Sequence, residues 1–134
     1  MGDRQVIDPG WKWDDDFPLG QGVRVGDFLY LSGQVSVDSD GNVIGKGDLR
    51  AQTRQVFENI KKILDMAGAS FQDVIKMNTF FVADIHDYEE YFAVRREYLK
   101  DNRPASTGVQ VKALAFEGLL LEVECICYLP RKRC

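Results

Sequence analysis

The 134-residue chain has one histidine, three cysteines, and no apolar run approaching the roughly 18 residues that a membrane helix needs. Each scarcity excludes something. His86 sits in ADIHDYEE, at a helix entry, where a lone histidine reads as an exposed loop residue and supports no Ser-His-Asp arrangement. The cysteines are Cys125, Cys127 and Cys134, an odd number that describes no disulfide framework. Strand neighbours two apart lie about 6.5 Å from one another along the strand, a poor geometry for bridging. No Cys/His pair has ligand spacing, so no metal site is expected. No apolar region follows Met1, so no secretory signal is expected, and the expected setting is the reducing cytoplasm without a membrane partner. The net charge of -4 and the lack of a basic stripe argue against nucleic acid as a partner. The RKRC tail reads as a solvated end.

The residues that are present describe one domain. At 45% hydrophobic and 28% charged, the chain is an ordinary globular composition, long enough for one core. Residues 1–20 carry a DPG turn, a W-K-W pair and an acidic run, and are expected to form an irregular N-terminal arm; residues 21–134 form the domain. GVRVGDFLYLSGQVSV alternates about Gly26-Asp27, which predicts a β-hairpin over 23–25 and 28–31. DSDGNVIGKGD resembles the first half of a calcium loop, but its twelfth place is Gly47 rather than Glu, so it reads as a turn. Asp48 is positioned to cap a helix whose apolar residues Leu49, Val56, Ile60, Ile63, Leu64 and Ala67 share a face, with Gly68 at its end. A strand over 74–82 and a second helix follow. Asp87 and Glu90 have capping-box spacing, and Tyr88, Tyr91, Phe92, Arg95 and Tyr98 define the second helix's face. Asn102-Arg103-Pro104 ends that helix, and strands over about 107–113 and 119–128 close the chain. The expected class is α+β: a mixed sheet with two helices on one face.

The strands carry the functional argument. In LLLEVECICYL, Leu121, Val123, Cys125 and Cys127 point one way, and Glu122, Glu124, Ile126 and Tyr128 the other. In the strand over 74–82, Ile75, Met77, Thr79 and Phe81 are expected on one face. Two helices cover one side of the sheet, and the other side mixes Phe, Val and Ile with Lys and Glu. Such a face predicts self-association with polar residues left in a subunit cleft, although the arm over 1–20 could cover the same surface. Glu122 and Glu124, set in an apolar strand, are candidate desolvated acid–base groups; the plainer reading is that one of them pairs with Lys76 or an arginine across the subunit interface. Ser106, Thr107 and Gly108 lie where a loop becomes a strand, offering hydroxyls and N–H groups to a ligand or forming a plain turn.

The stretches SGQ, AQTRQVFENIKKIL, AGAS, DVIKM, RPAS and EVE together make the chain, over about residues 20–128, closely resemble the RidA/YjgF family, also called L-PSP endoribonuclease-like. The resemblance implies a chorismate-mutase-like fold, a homotrimer formed through the open sheet face, and three inter-subunit clefts. It also implies cofactor-free hydrolysis of imines and enamines with release of ammonia. On that resemblance Glu122 is the catalytic glutamate, and Ser32, Gly33, Ser106, Thr107, Leu19 and Phe92 fall at substrate-binding positions. Ser106 stands where the deaminating members have their carboxylate-binding arginine, Leu19 where they have a tyrosine, and Phe92 where an asparagine is common. Arg103, three residues upstream, and Arg95 or Arg96, on the preceding helix, are the cations near enough to substitute. The expected function is therefore hydrolysis of a C=N compound other than the standard 2-imino acid. The alternative is a non-catalytic protein that binds a small metabolite in the trimer cleft. Ribonuclease activity is disfavoured by the acidic balance.

Overall fold

The computed structural model describes residues 4–82 and 84–130; the basic tail over 131–134, with Cys134, lies outside the described residues. The strands are β1 (Arg4–Ile7), β2 (Gly22–Val25), β3 (Phe28–Val35), β4 (Val74–Phe81), β5 (Ala105–Gln110) and β6 (Leu121–Tyr128), and the helices are α1 (Leu49–Met66) and α2 (Tyr88–Leu99). One six-stranded sheet runs β1-β2-β3-β6-β4-β5. Neighbours are antiparallel except β4 and β5, a parallel pair joined through α2, which supplies the crossover that parallel strands require.

Local chemistry explains the elements. Gly26, at φ +57, makes the tight turn between β2 and β3. Asp48 caps α1 in extended conformation and accepts the Ala51 N–H at 3.0 Å. Gly68, at φ +72, takes the left-handed position just past the end of α1. The face of α1 with Val56, Phe57, Ile60, Ile63 and Leu64 packs on Leu29 and Leu31 of β3 and on Val123, Cys125 and Cys127 of β6. Tyr98 Oη of α2 donates to Glu58 Oε2 of α1 at 2.6 Å. The helices also share exposed ion pairs, Arg50–Glu90 and Arg54–Glu97, which contribute little individually.

Three local expectations change. The arm over 1–20 is not wholly irregular: β1 pairs with β2 through Arg4↔Val25 to Ile7↔Gly22, and Ile7 and Trp11 are buried in the core. Ile75 does not share the buried face of β4. A register shift between Val74 and Lys76 buries Val74, 2% exposed, and turns Ile75 outward at 45%. The Asp87–Glu90 capping box does not form, because Asp87 has φ -89 and ψ 19, outside the extended backbone that a cap uses. Asp84 Oδ1 instead accepts the N–H of His86, which is exposed, and a short 3-10 turn leads into α2. A capping box does form at Ser70 and Asp73, before β4. Among the described residues, no helix is long and apolar enough to cross a membrane.

Candidate functional site

β6 alternates as its sequence implies. Leu121, Val123, Cys125 and Cys127 are buried under the helices, which turns Glu122 and Glu124 to the open face. Glu122 is half-buried and, among the described residues, forms no ion pair. Lys76, opposite Ile126 on the neighbouring strand, donates to Thr107 Oγ1 at 3.0 Å. Glu124 accepts from Asn78 Nδ2 at 3.2 Å. Desolvation first, and then the neighbouring Glu124 charge, push the Glu122 carboxyl above its ordinary value.

Gly33 lies against that carboxylate. A β-carbon at residue 33 would stand 2.5 Å from Glu122 Oε2 and 2.6 Å from its Cδ, so only glycine leaves the carboxylate where it is. The backbone there is pinned from below. The register of β3 on β6 shifts between Leu31 and Gln34, and the buried Gln34 donates through Nε2 to the Ser32 carbonyl and to Gln21 Oε1. Ser32 Oγ donates to the Gly20 carbonyl at 2.6 Å, so its hydroxyl proton is held within the fold. Gln21 and Gln34 are structural supports that sequence reasoning did not single out; burial of two amides together was the missing information. Leu19 is exposed, in the loop that leads to Gly20.

A second cluster forms on the helix side of the sheet edge. Ser106 pairs in register with the buried Met77, and its Oγ accepts from Arg95 NH1 of α2 at 3.1 Å. The same nitrogen donates to Tyr91 Oη at 3.1 Å, and Tyr91 Oη also bonds Thr79 Oγ1 at 2.7 Å. Phe92 flanks the guanidinium, its ring centre 5.7 Å from Arg95 Cζ. A cavity of about 240 Å³ opens between α2 and β5 beside Thr79, Tyr88, Phe92, Arg95 and Ser106. A larger one, about 530 Å³, lies at the end of α2 beside Arg96, Lys100 and Arg103. Arg95 lines both, whereas Arg103 is exposed and reaches only the larger.

Apart from Leu19 and Arg103, which join neither, the residues singled out from the sequence fall into two groups. Glu122, Gly33 and the Thr107 side chain belong to the open face, while Ser106, Phe92 and Arg95 belong to the helix side. A single chain does not bring the groups together, because strand alternation sends Glu122 and Ser106 to opposite faces of one sheet.

The fold is chorismate-mutase-like, with its polar clusters at the edge and on the uncovered face of the sheet. Its sequence matches the family described as Endoribonuclease L-PSP over residues 16–129, and the chain belongs to that family, which is the RidA/YjgF family. A RutC family protein of Pyrococcus abyssi is 40% identical over 111 residues, covering 83% of this chain and 86% of the relative. The protein mmf1, mitochondrial, of Schizosaccharomyces pombe is 37% identical, covering 81% of this chain and 67% of that one. The crystal structure of RidA from the Antarctic bacterium Psychrobacter sp. PAMC 21119 is 35% identical with a TM-score of 0.83, covering 93% of this chain and 99% of that chain.

Proposed function

We propose that the protein is a RidA-type deaminase that hydrolyses reactive imines or enamines in clefts between the subunits of a homotrimer. The observation that carries this reading is the Glu122 carboxylate, half-buried, without a cation, its pKa raised by desolvation, and lying against Gly33. Such a group takes a proton from water more readily than an exposed carboxylate does. As water oxygen bonds to the C=N carbon, Glu122 accepts one of its protons and passes it to nitrogen, giving a carbinolamine. Collapse then forms C=O, breaks C–N and moves the hydroxyl proton to the departing nitrogen. One water is consumed, one ammonia is released, and the carboxylate is restored. An enamine joins the same route after tautomerising to the imine, one proton added to carbon as another leaves nitrogen.

Two features support an assembly. The open face exposes Phe28, Tyr30, Ile75, Val109 and Tyr128, too much apolar surface for a free sheet. A second copy set against that face also supplies the half of the cleft that one chain leaves on its other side. The buried free thiols Cys125 and Cys127 suit a reducing compartment such as the cytoplasm.

Ammonia release decides the matter. It is measured from 2-iminobutanoate formed in situ by a dehydratase, and from an uncharged imine. Acceleration by the wild-type chain, with a loss of about 10²–10⁴-fold in Glu122→Gln, is expected. No acceleration of either substrate rejects the hydrolase. It would favour the second reading, a metabolite-binding protein without turnover, for which the uncharged Ser106 side chain is the motivating feature.

A further inference from the structure

Gln34 closes the SGQ stretch that holds Gly33 and is 1% exposed; Gln21, just before β2, is 3% exposed. Two buried amides are stable only with their polar atoms met, and here they are met in one direction. Asp14 Oδ2, on the short turn of the arm, accepts from Gln21 Nε2 at 2.6 Å. Gln21 Oε1 accepts from Gln34 Nε2 at 2.8 Å, and the same nitrogen donates to the Ser32 carbonyl at 3.0 Å. The direction is set at the arm end. A carboxylate only accepts, so Gln21 turns its NH2 to Asp14 and its oxygen to Gln34, which must answer with NH2. In the reverse order Gln34 would set its oxygen against the Ser32 carbonyl, two acceptors with no proton between them.

The Ser32 carbonyl belongs to the peptide that leads into Gly33. Neither residue has a partner in the β3–β6 register, which shifts between Leu31 and Gln34, so the ladder leaves this peptide to other ties. Those ties come from one loop: the Ser32 N–H donates to the Gln21 carbonyl at 2.9 Å, and Ser32 Oγ to the Gly20 carbonyl. Gln34 pairs in register with the buried Val123, so its side chain works from the covered face, while Gly33 meets Glu122 on the open one. We propose that Gln34 is a positioning residue: it clamps the Ser32–Gly33 peptide so that Gly33 stays against Glu122, and Asp14 sets the polarity of the clamp. The N-terminal arm is thereby part of the site. The inference rests on the reading that Glu122 is the reacting group, and it adds what holds the surroundings of that group in place. Where Gly33 stands decides how much water reaches the carboxylate and where its oxygens point, which couples a remote amide to a proton transfer.

The test reads the Glu122 carboxyl directly, by NMR titration of its side-chain carbon in the full chain, with Glu122→Gln assigning the resonance. Wild type is expected to titrate above the ordinary carboxyl range, and Glu124, the other charge beside Glu122, is kept in every variant. Gln34→Met keeps the length of the side chain but donates nothing. It is expected to bring the Glu122 midpoint down by about half a pH unit or more, as solvent enters where Gly33 recedes. Imine turnover is expected to lose about tenfold in kcat with KM within about twofold of wild type, the split that misplacing a reacting group produces. Asp14→Asn can donate as well as accept, permits either order, and is expected to move both readouts the same way by less. A lower melting temperature with the Glu122 midpoint and kcat unmoved in Gln34→Met would show a purely structural amide and overturn the proposal. Should Gln34→Met not fold, Asp14→Asn and Asp14→Ala, altered at the half-buried end of the chain of bonds, carry the test, and an unmoved midpoint in both overturns it. Shifted midpoints in a protein that releases no ammonia from any imine would remove the hydrolase reading and leave this one standing. Turnover lost in Glu122→Gln but full in Gln34→Met would do the reverse.

Discussion

Glu122 and Gly33 are two halves of one arrangement at the residue scale. The glycine has no conformational excuse, since it does not adopt positive φ; its role is to leave room for the carboxylate. The group that must yield to a new β-carbon is a flexible side chain, not backbone. Gly33→Ala is therefore expected to fold with nearly unchanged thermal stability while turnover falls by about 10²-fold, the usual consequence of displacing a reacting group by an ångström. Equal losses of stability and rate would contradict this account. Glu122 also predicts a pH dependence. Its folded pKa is raised by burial and by Glu124, so the native chain holds the proton more tightly than the unfolded chain does. Stability then declines as pH rises from the ordinary carboxyl pKa through the raised one. Glu122→Gln removes that decline. Its melting temperature is expected to match wild type at about pH 4 and to exceed it at about pH 7.

At the scale of elements, α1 does more than cover the sheet. Asn59, buried on its inner face, donates through Nδ2 to the carbonyls of Val35 and Val37, both at 3.0 Å, and accepts from Gln55 at 2.9 Å. These bonds satisfy the backbone where β3 ends and the chain turns away. Asn59→Ala removes one donor from each carbonyl, Val35 keeping the Val37 N–H at 2.9 Å, and is expected to cost about 1–3 kcal/mol. A lower urea midpoint with an unchanged m-value would be the signature. In α2, Tyr91 and Arg95 stand one turn apart, a spacing visible in the sequence as one helical face. The sequence left Arg95, Arg96 and Arg103 as equal candidates to meet Ser106, and the packing of α2 against β5 selects Arg95.

At the scale of the whole molecule, Glu122 lies on one face of the sheet and Ser106 on the other. In the proposed trimer each cleft takes its two halves from two copies. Subunit mixing tests this directly. Glu122→Gln and Ser106→Trp are each expected to be inactive, and a one-to-one mixture refolded together is expected to recover about one quarter of the wild-type rate, since each cleft draws its two halves at random. A mixture that stays as inactive as its parents would mean that both halves serve the same chain.

The α+β class, the two helices on one face and the split of β6 into a buried and an open face were legible in residue order. They depend on hydrophobic period, turn glycines and caps, which act over a few residues. Glu122 was legible for the same reason, as a carboxylate recurring in an apolar strand. The outward turn of Ile75, the Cβ position at Gly33 filled by Glu122 and the guanidinium of Arg95 at Ser106 were decided by the tertiary structure. Each depends on the register of one strand against another, or on a helix packed across a sheet, and those distances are set by the burial of the whole core rather than by any local stretch.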